Sequence, residues 1–445
     1  MAILGKFNAS TAEQSGDLAT GFRLGARGWT DVDAQMRRLI GRLQQYGLLE
    51  YRLGRSGRGG DLAIIEPQVH DYNPRICEPR GDDTIALSRF AYLRRRGGDM
   101  VLESPLAGAL CKLCDPAIAA TIANLSEPQT MRQLRRRRGF PGPELLGLLL
   151  DNRILFLVEA GGDKDLRGSE GEGALVLWDF HDLLFHARST AGRHANPLGS
   201  AMAYADVIKP LPAVRPPWPG EAVELGRLAA PDASPLVATL HRRYSTRSFD
   251  ERHPITLEDL ARLFDAVARI RARDRLMDDD DPEPELEIAA RPYPSGGASY
   301  ELELYLAVDR CAGLARGFYH YDASRHVLVP IAVNAWQLDA ILDDAKLAMG
   351  APSFPQILVT IAARFGRVSW KYSAIAYALI LKDVGVLMQT IYLVASDMEL
   401  GACAIGLADI DLFARMTGIE FYVEGAVGQM AIGRGLDTGS TSVDD

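Results

Sequence analysis

An α+β fold is predicted by three observations. The first is a strand. Leu302, Leu304, Leu306 and Val308 alternate with Glu301, Glu303 and Tyr305, the pattern of a half-buried strand, directly after the turn Pro294-Ser295-Gly296-Gly297. The second is a pair of apolar stripes at helical spacing. One is Leu260, Leu263, Phe264, Val267 and Ile270; the other is Val384, Leu387, Met388, Ile391, Val394, Ala395 and Met398. The third is a helix-then-hairpin plan that occurs twice before residue 178.

The chain has 445 residues, 47% of them hydrophobic, enough for two or three domains with sizeable cores. A net charge of −9 argues against bulk attraction to nucleic acid. No apolar run approaches the roughly eighteen residues of a membrane span, so no membrane partner is expected. The first residues hold no long apolar run, so no secretory signal is expected. Five cysteines fit a reducing cytoplasm. Cys111 and Cys114 form the one C-x-x-C; without a second ligand pair they are expected to be a helix-buried pair, and no metal site is expected.

In chain order, Thr30 is placed to cap a helix from Asp31, in which Met36, Leu39, Ile40 and Leu43 recur. A Gly/Arg-rich turn and Leu62-Ala-Ile-Ile follow. Residues 105–178 repeat the plan: Leu106, Leu110 and Leu113 begin a stripe, Leu145–Leu150 leads into Arg153–Val158, and a Gly/Asp-rich turn and Leu175–Trp178 close the copy. Two winged-helix-like units are therefore expected, at 1–100 and 101–178. Arg135 to Arg138 reads as a solvated face, with peptide docking and then DNA binding behind it.

In Trp178–His194, Phe180, Leu184 and Phe185 are expected to pack, with a substrate-facing role for His181 or His186 as the alternative. The two histidines are five apart and do not share a helix face, so they make a poor metal pair. Residues 179–222 end in the Pro-rich linker Leu211–Gly220. Leu236–Leu240 should be a helix delivering the Arg243 loop. Thr256 with Asp259 reads as a capped helix start. Asp278–Asp281 with Glu283, Glu285 and Glu287 reads as a solvated acidic loop. A hairpin is expected at Gly317–Asp322 and His326–Val329, a strand at Phe354–Ala362, two helical runs at Tyr372–Leu381 and Val384–Leu400, and a last strand at Phe421–Ile432.

If the segment is extended, Arg243, Ser245 and Arg247 fall on one face, two guanidiniums flanking a hydroxyl, a clamp for a phosphate dianion. Arg434, after the last strand, is a fourth candidate. The Ser295-Gly296-Gly297 turn has almost no side chains, so a flat ligand can come close to its backbone. Arg-x-Ser-x-Arg and the later Pro-Ser-Gly-Gly, in that order, resemble the nitroreductase-type flavin fold. They are most similar to its SagB/ThcOx branch, the FMN-dependent azoline oxidases of thiazole- and oxazole-containing peptide biosynthesis. The resemblance covers about residues 175–435.

The resemblance implies a mostly antiparallel sheet wrapped by helices over 223–445, and FMN as cofactor. It places Pro294, Ser295, Gly296 and Gly297 on one side of the flavin ring. A small-residue turn, Ala402–Gly406, with Ile405 and Gly406, lies on the other, and Gln389 stands in Gly385-x-x-x-Gln389 where relatives carry an amide. It makes Lys371 and Tyr372 the catalytic pair. Oxidising an azoline to an azole removes a proton and a hydride from adjacent ring carbons; Lys371 is the expected base, with a pKa lowered by desolvation and neighbouring Arg charges, and Tyr372 relays the proton or orients the ring. It further implies a homodimer with shared flavin sites, a precursor peptide docked on the N-terminal units by strand addition, a cyclodehydratase partner, and reoxidation by dioxygen. The competing readings are an NAD(P)H-dependent nitro- or ene-reductase on the same fold, an azoline oxidase acting on carrier-bound chains, and a flavin-free binding module.

Overall fold

The computed structural model describes residues 31–436, apart from 55–59, 138, 159–169, 171–172, 196–198, 201, 203, 218, 220, 222, 226–233 and 277–285. Thr30 and the acidic run Asp278–Asp281 with Glu283 and Glu285 lie outside the described residues. The chain divides into two compact units, the first built from residues up to 195 with 365–377 and 409–425, the second from the remainder.

In the first unit the chain runs α1 (Asp31–Gln45), β1 (Tyr51–Gly54), β2 (Asp61–Pro67), β3 (Thr84–Leu87), β4 (Tyr92–Arg96), β5 (Asp99–Glu103), β6 (Ala109–Leu113), α2 (Pro116–Ala123), β7 (Gln129–Thr130), α3 (Met131–Arg135), α4 (Pro143–Asp151), β8 (Leu155–Leu157), α5 (Gly173–Val176) and α6 (Phe180–Arg188). Five strands form one sheet in the order β1-β2-β6-β5-β4, and three form a second, β7-β3-β8. Ile65, Ile85, Leu102, Cys111, Met131, Leu134 and Leu149 meet in one apolar core. Short local signals start the helices. Asp115 accepts the Ala117 N–H ahead of Pro116, and Thr130 and Gln133 form a capping box.

Residues 100 and 101 lie within β5, and β2 pairs with β6. Three expectations are corrected here. Leu110 to Leu113 is a strand rather than a helical stripe. β6 is taken up between β2 and β5, which satisfy its backbone hydrogen bonds on both edges. Cys111 is accordingly buried on a strand, its thiol pushed up to about 12 by burial, and Cys114 is exposed at the strand's end. Leu175 lies in the short helix α5 rather than a closing strand.

The second unit holds α7 (Pro235–Arg242), α8 (Leu257–Val267), β9 (Ala272–Leu276), β10 (Leu286–Ala290), β11 (Leu302–Val308), β12 (Gly317–Asp322), β13 (Val327–Ile331), α9 (Ala335–Met349) and β14 (Ile357–Arg364). After α10 (Gly366–Ser369), which belongs to the first unit, come α11 (Ala376–Asp397), β15 (Gly401–Ile405), α12 (Ile410–Thr417), again in the first unit, and β16 (Glu424–Gly433). The main sheet has the order β13-β12-β11-β14-β16-β15, and β11 is antiparallel to both its neighbours. Thr256 and Asp259 make the predicted capping box, and Leu260, Leu263, Phe264 and Val267 are the buried face of α8.

β11 is more buried than its alternation predicts. Of its seven residues only Glu303 is not buried, because a strand paired on both edges inside a covered sheet hides both faces. The two predicted helical runs are one helix, α11, and Ala402–Ile405 is strand rather than turn, paired with β16. Among the described residues α11 alone is long and apolar enough to cross a membrane. Lys382 and Asp383 interrupt it, and Ile380, Val384, Leu387, Ile391 and Ala395 are buried, the pattern of a helix packed in protein.

Candidate functional site

In the second unit, α7 begins at Ser234, whose hydroxyl accepts the Val237 N–H, and ends at Arg243 in extended backbone. Thr246 is buried beneath the loop that follows, and its N–H donates to the Ala402 carbonyl at 2.8 Å. A Cβ on Gly401 would lie 2.6 Å from Thr246 Cγ2, so the strand and the loop approach this closely only over a glycine. The loop is held against α11 by Tyr392. The Tyr392 hydroxyl accepts the Ala404 N–H at 2.7 Å and lies 2.8 Å from Ser245 Oγ, and the Arg243 guanidinium sits 5.1 Å from the Tyr392 ring centroid. With Tyr392 donating to Ser245, the Ser245 hydrogen stays available to an anion.

No described carboxylate pairs with Arg243 or Arg247; Arg243 rests against the Tyr392 ring. Arg434 differs: it bonds Asp259 at 3.0 Å, and its backbone N–H donates to Gln356, which also accepts the Ile255 N–H. Its backbone runs beside the Arg247 loop, with the Asp250 N–H donating to the Arg434 carbonyl. The donor set of Arg243, Ser245 and Arg247 fits a phosphate.

The Ser295 turn sits against the same helix. Gly297 is left-handed (φ 61°, ψ 26°), the conformation that favours glycine. The Gly296 N–H is not bare, as the sequence had implied; it donates to Asp383 Oδ2 at 2.9 Å, and Ser295 Oγ lies 2.9 Å from the same oxygen. Gln389 is exposed on α11, Ile405 ends β15 and Gly406 follows it. An open cleft of 270 Å³ bounded by Phe249, Asp309, Lys346 and Gln356 contains none of these residues.

Lys371 and Tyr372 belong to the first unit. Within residues 365–377 Lys371 is exposed and Tyr372 half-buried, with the Lys371 ammonium 5.4 Å from the Tyr372 ring centroid. Both flanks are fixed. Phe365 packs 4.6 Å from the Trp178 ring, Asp179 accepts the Ala374 N–H at 2.8 Å, and Asp182 accepts the Tyr377 N–H at 3.4 Å. The Tyr377 hydroxyl lies 3.0 Å from His186 Nδ1. Because a carbonyl only accepts, the bond from His186 to the Phe421 carbonyl places the ring hydrogen on Nε2, and Nδ1 accepts from Tyr377.

This reverses the expected face of α6. Asp182, Leu183, His186 and Ala187 are buried, while Phe180 and Phe185 are 37% and 53% exposed. The polar residues go inward because each finds a partner there. His186 therefore does not face a substrate. Asp179, His181 and Asp182 also bring potential ligand atoms within 4.8 Å of one another, but both carboxylates already hold backbone N–H groups.

Burial holds the His186 imidazolium pKa down to about 4. The unfolded state, with its ordinary value near 6.5, binds the proton first as pH falls. Stability is expected to be full above about pH 6.5 and to decline by on the order of 3 kcal/mol as pH falls through 4. Denaturant titrations of the wild type and His186→Gln across this window check it; a variant with the same slope as wild type assigns the loss elsewhere.

Sequence reasoning singled out the Arg243 loop, the Ser295 turn and the Lys371 pair as candidates, and passed over Tyr392, Asp383, Glu301 and the clamp from α6. One signal was readable: Asp383 is a lone carboxylate beside the apolar stripe of a helix, where burial demands a partner.

Residues 85–195 match the family model described as cyanobactin oxidase ThcOx, and residues 240–434 match that of the nitroreductase family. A Methanocaldococcus jannaschii protein described as a nitroreductase is 31% identical over 113 residues, covering 25% of this chain and 56% of that protein, so the match spans about half of that relative's length. Among solved structures, the E. coli microcin synthetase McbBCD complex with truncated pro-MccB17 bound is 18% identical, at a TM-score of 0.42 over 64% of this chain and 100% of the matched chain. A Bacteroides fragilis nitroreductase with bound FMN is 13% identical, at a TM-score of 0.29 over 48% of this chain and 94% of the other. The Arg243 loop, the Ser295 turn and α11 thus lie within the stretch that matches the nitroreductase family, and the stretch before it matches the cyanobactin oxidase ThcOx model.

Proposed function

We propose that this chain is an FMN-dependent dehydrogenase that oxidises azolines in a peptide to azoles. The observation that carries the reading is the clamp on the Lys371 loop. The residues that hold it, Asp179, Asp182 and His186, lie within the stretch that matches the ThcOx family, and the loop itself lies within the nitroreductase-family match. In this reading Arg243, Ser245 and Arg247 hold the FMN phosphate and the Ser295–Gly297 turn borders the ring. Bound FMN supplies the two-electron acceptor. Lys371 takes the proton from the ring carbon, and Tyr372 orients the ring or relays that proton.

A homodimer is part of the reading. Asp383 and Tyr392 are nine residues apart on α11, about 900° of helix rotation, so they project from opposite faces. The turn and the phosphate cluster they hold are therefore presented on opposite sides of one helix, which supports a flavin site completed by a second copy. The precursor peptide would dock by strand addition on the N-terminal sheets, and a cyclodehydratase would supply the azoline.

Tyr392→Phe is expected to raise the FMN dissociation constant roughly three- to tenfold by removing the hydroxyl that orients Ser245, as read by fluorescence quenching. The reading as a whole is tested by anaerobic titration of the purified protein. Bleaching of the flavin band by an azoline peptide alone supports the dehydrogenase. Bleaching by NADPH alone favours a nitro- or ene-reductase, and no flavin band at all leaves a binding module.

A further inference from the structure

Behind the Ser295 turn two carboxyl groups face one hydroxyl. Ser295 Oγ is 2.9 Å from Asp383 Oδ2 and 3.3 Å from Glu301 Oε2, and it accepts the Tyr300 N–H at 3.0 Å. A serine hydroxyl has one hydrogen. With both carboxyls ionised, that hydrogen serves one of them and leaves the other oxygen against a lone pair. Glu301 is fully buried, and its other oxygen, Oε1, has no hydrogen-bond partner among the described residues. An ionised Glu301 would then be a buried charge with one oxygen bare and the other repelled. A proton on Glu301 removes the repulsion. Its O–H donates to Ser295, Ser295 donates to Asp383, and the same Asp383 oxygen accepts the Gly296 N–H.

We propose that Glu301 and Asp383 hold a single proton, carried by Glu301, and that the chain Glu301–Ser295–Asp383–Gly296 sets the position of the Ser295–Gly297 turn. Both carboxyls are positioning residues for the ligand the turn borders. Among the described residues no cation forms an ion pair with Glu301. Arg291 bonds the Leu302 carbonyl and lies 3.7 Å from Glu303, and Arg364 and His320 also lie near Glu303, at 3.9 and 3.5 Å. Tyr293 and Tyr300 flank the turn, and α11 aims Asp383 at it. Burial, with the Asp383 charge behind it, pushes the Glu301 carboxyl up to about 7. Above neutrality the chain loses its first hydrogen and the turn its fixed position.

The consequence for FMN rests on the flavin reading, whereas the shared proton does not. Infrared difference spectra of the full-length apoprotein and Glu301→Gln, from about pH 5.5 to 8.5, read the proton directly. A protonated-carboxyl band in the wild type that fades through about pH 7 and is missing in Glu301→Gln is expected; no difference band overturns the proposal. FMN titrations read the consequence. The wild-type dissociation constant is expected to rise on the order of tenfold over the same range, one unit of coupling, and that of Glu301→Gln, which keeps a donor to Ser295, to stay flat. The same slope in both proteins overturns the positioning role. Asp383→Ala should weaken FMN at every pH; if it does not fold, the Glu301→Gln comparison decides alone. A wild type that shows the band but takes up no FMN sinks the flavin reading and leaves the shared proton standing.

Discussion

Replacing Lys371 with alanine is expected to slow azoline oxidation by roughly 10²- to 10⁴-fold, the range for a positioned general acid or base. Little else should change. Lys371 is exposed, and the contact it makes in the structure is with the Tyr372 ring, so stability should stay within about 0.5 kcal/mol of wild type. FMN content should also hold, since the phosphate candidates Arg243, Ser245 and Arg247 lie in the other unit. Lys371→Arg should be nearly as slow, because a guanidinium stays protonated and cannot accept the proton. Tyr372→Phe keeps the ring and removes the hydroxyl, which separates orientation from relay. The measurement is the single-turnover rate of anaerobic flavin bleaching by an azoline peptide. A Lys371→Ala protein that bleaches at the wild-type rate ends its assignment as the base.

Arg193→Ala should destabilise the first unit by roughly 3–5 kcal/mol, the cost of breaking a buried ion pair from one side. The Arg193 guanidinium is almost wholly buried. It bonds Asp411 at 3.1 Å and the carbonyls of Leu106 and Ala107 at 2.9 and 3.2 Å, and lies 4.3 Å from the Phe421 ring centroid. It thereby ties residues 106–107, from early in the chain, to residues 409–425. Alanine leaves both carbonyls without that donor and opens a cavity. A fall in melting temperature of about 10 °C is expected, and Arg193→Lys should recover only part of it, since an ammonium does not span the same acceptors. A loss below about 1 kcal/mol would mean that solvent reaches this side chain in the folded protein.

What the sequence determined by itself is local. Thr256 caps α8 because its partner is three residues away. Leu302–Val308 is a strand because its pattern and the preceding Gly-rich turn lie within a few residues. Arg243, Ser245 and Arg247 read as a candidate phosphate clamp because their spacing puts them on one face of an extended segment, whereas Lys371-Tyr372 is singled out only by the resemblance to the SagB/ThcOx branch. The tertiary structure decided what depends on distant partners. Ser295 meets Asp383 across 88 positions, and Ser245 meets Tyr392 across 147. Residues 110–113 are a strand because β2 and β5 take up their backbone hydrogen bonds. The helix of Phe180 to Arg188 turns His186 inward and two phenylalanines outward because Tyr377, Phe421 and the 374–377 backbone offer hydrogen bonds there. Periodicity measures apolar content and is blind to such partners, and a buried polar group is decided by its partner rather than by its own hydropathy.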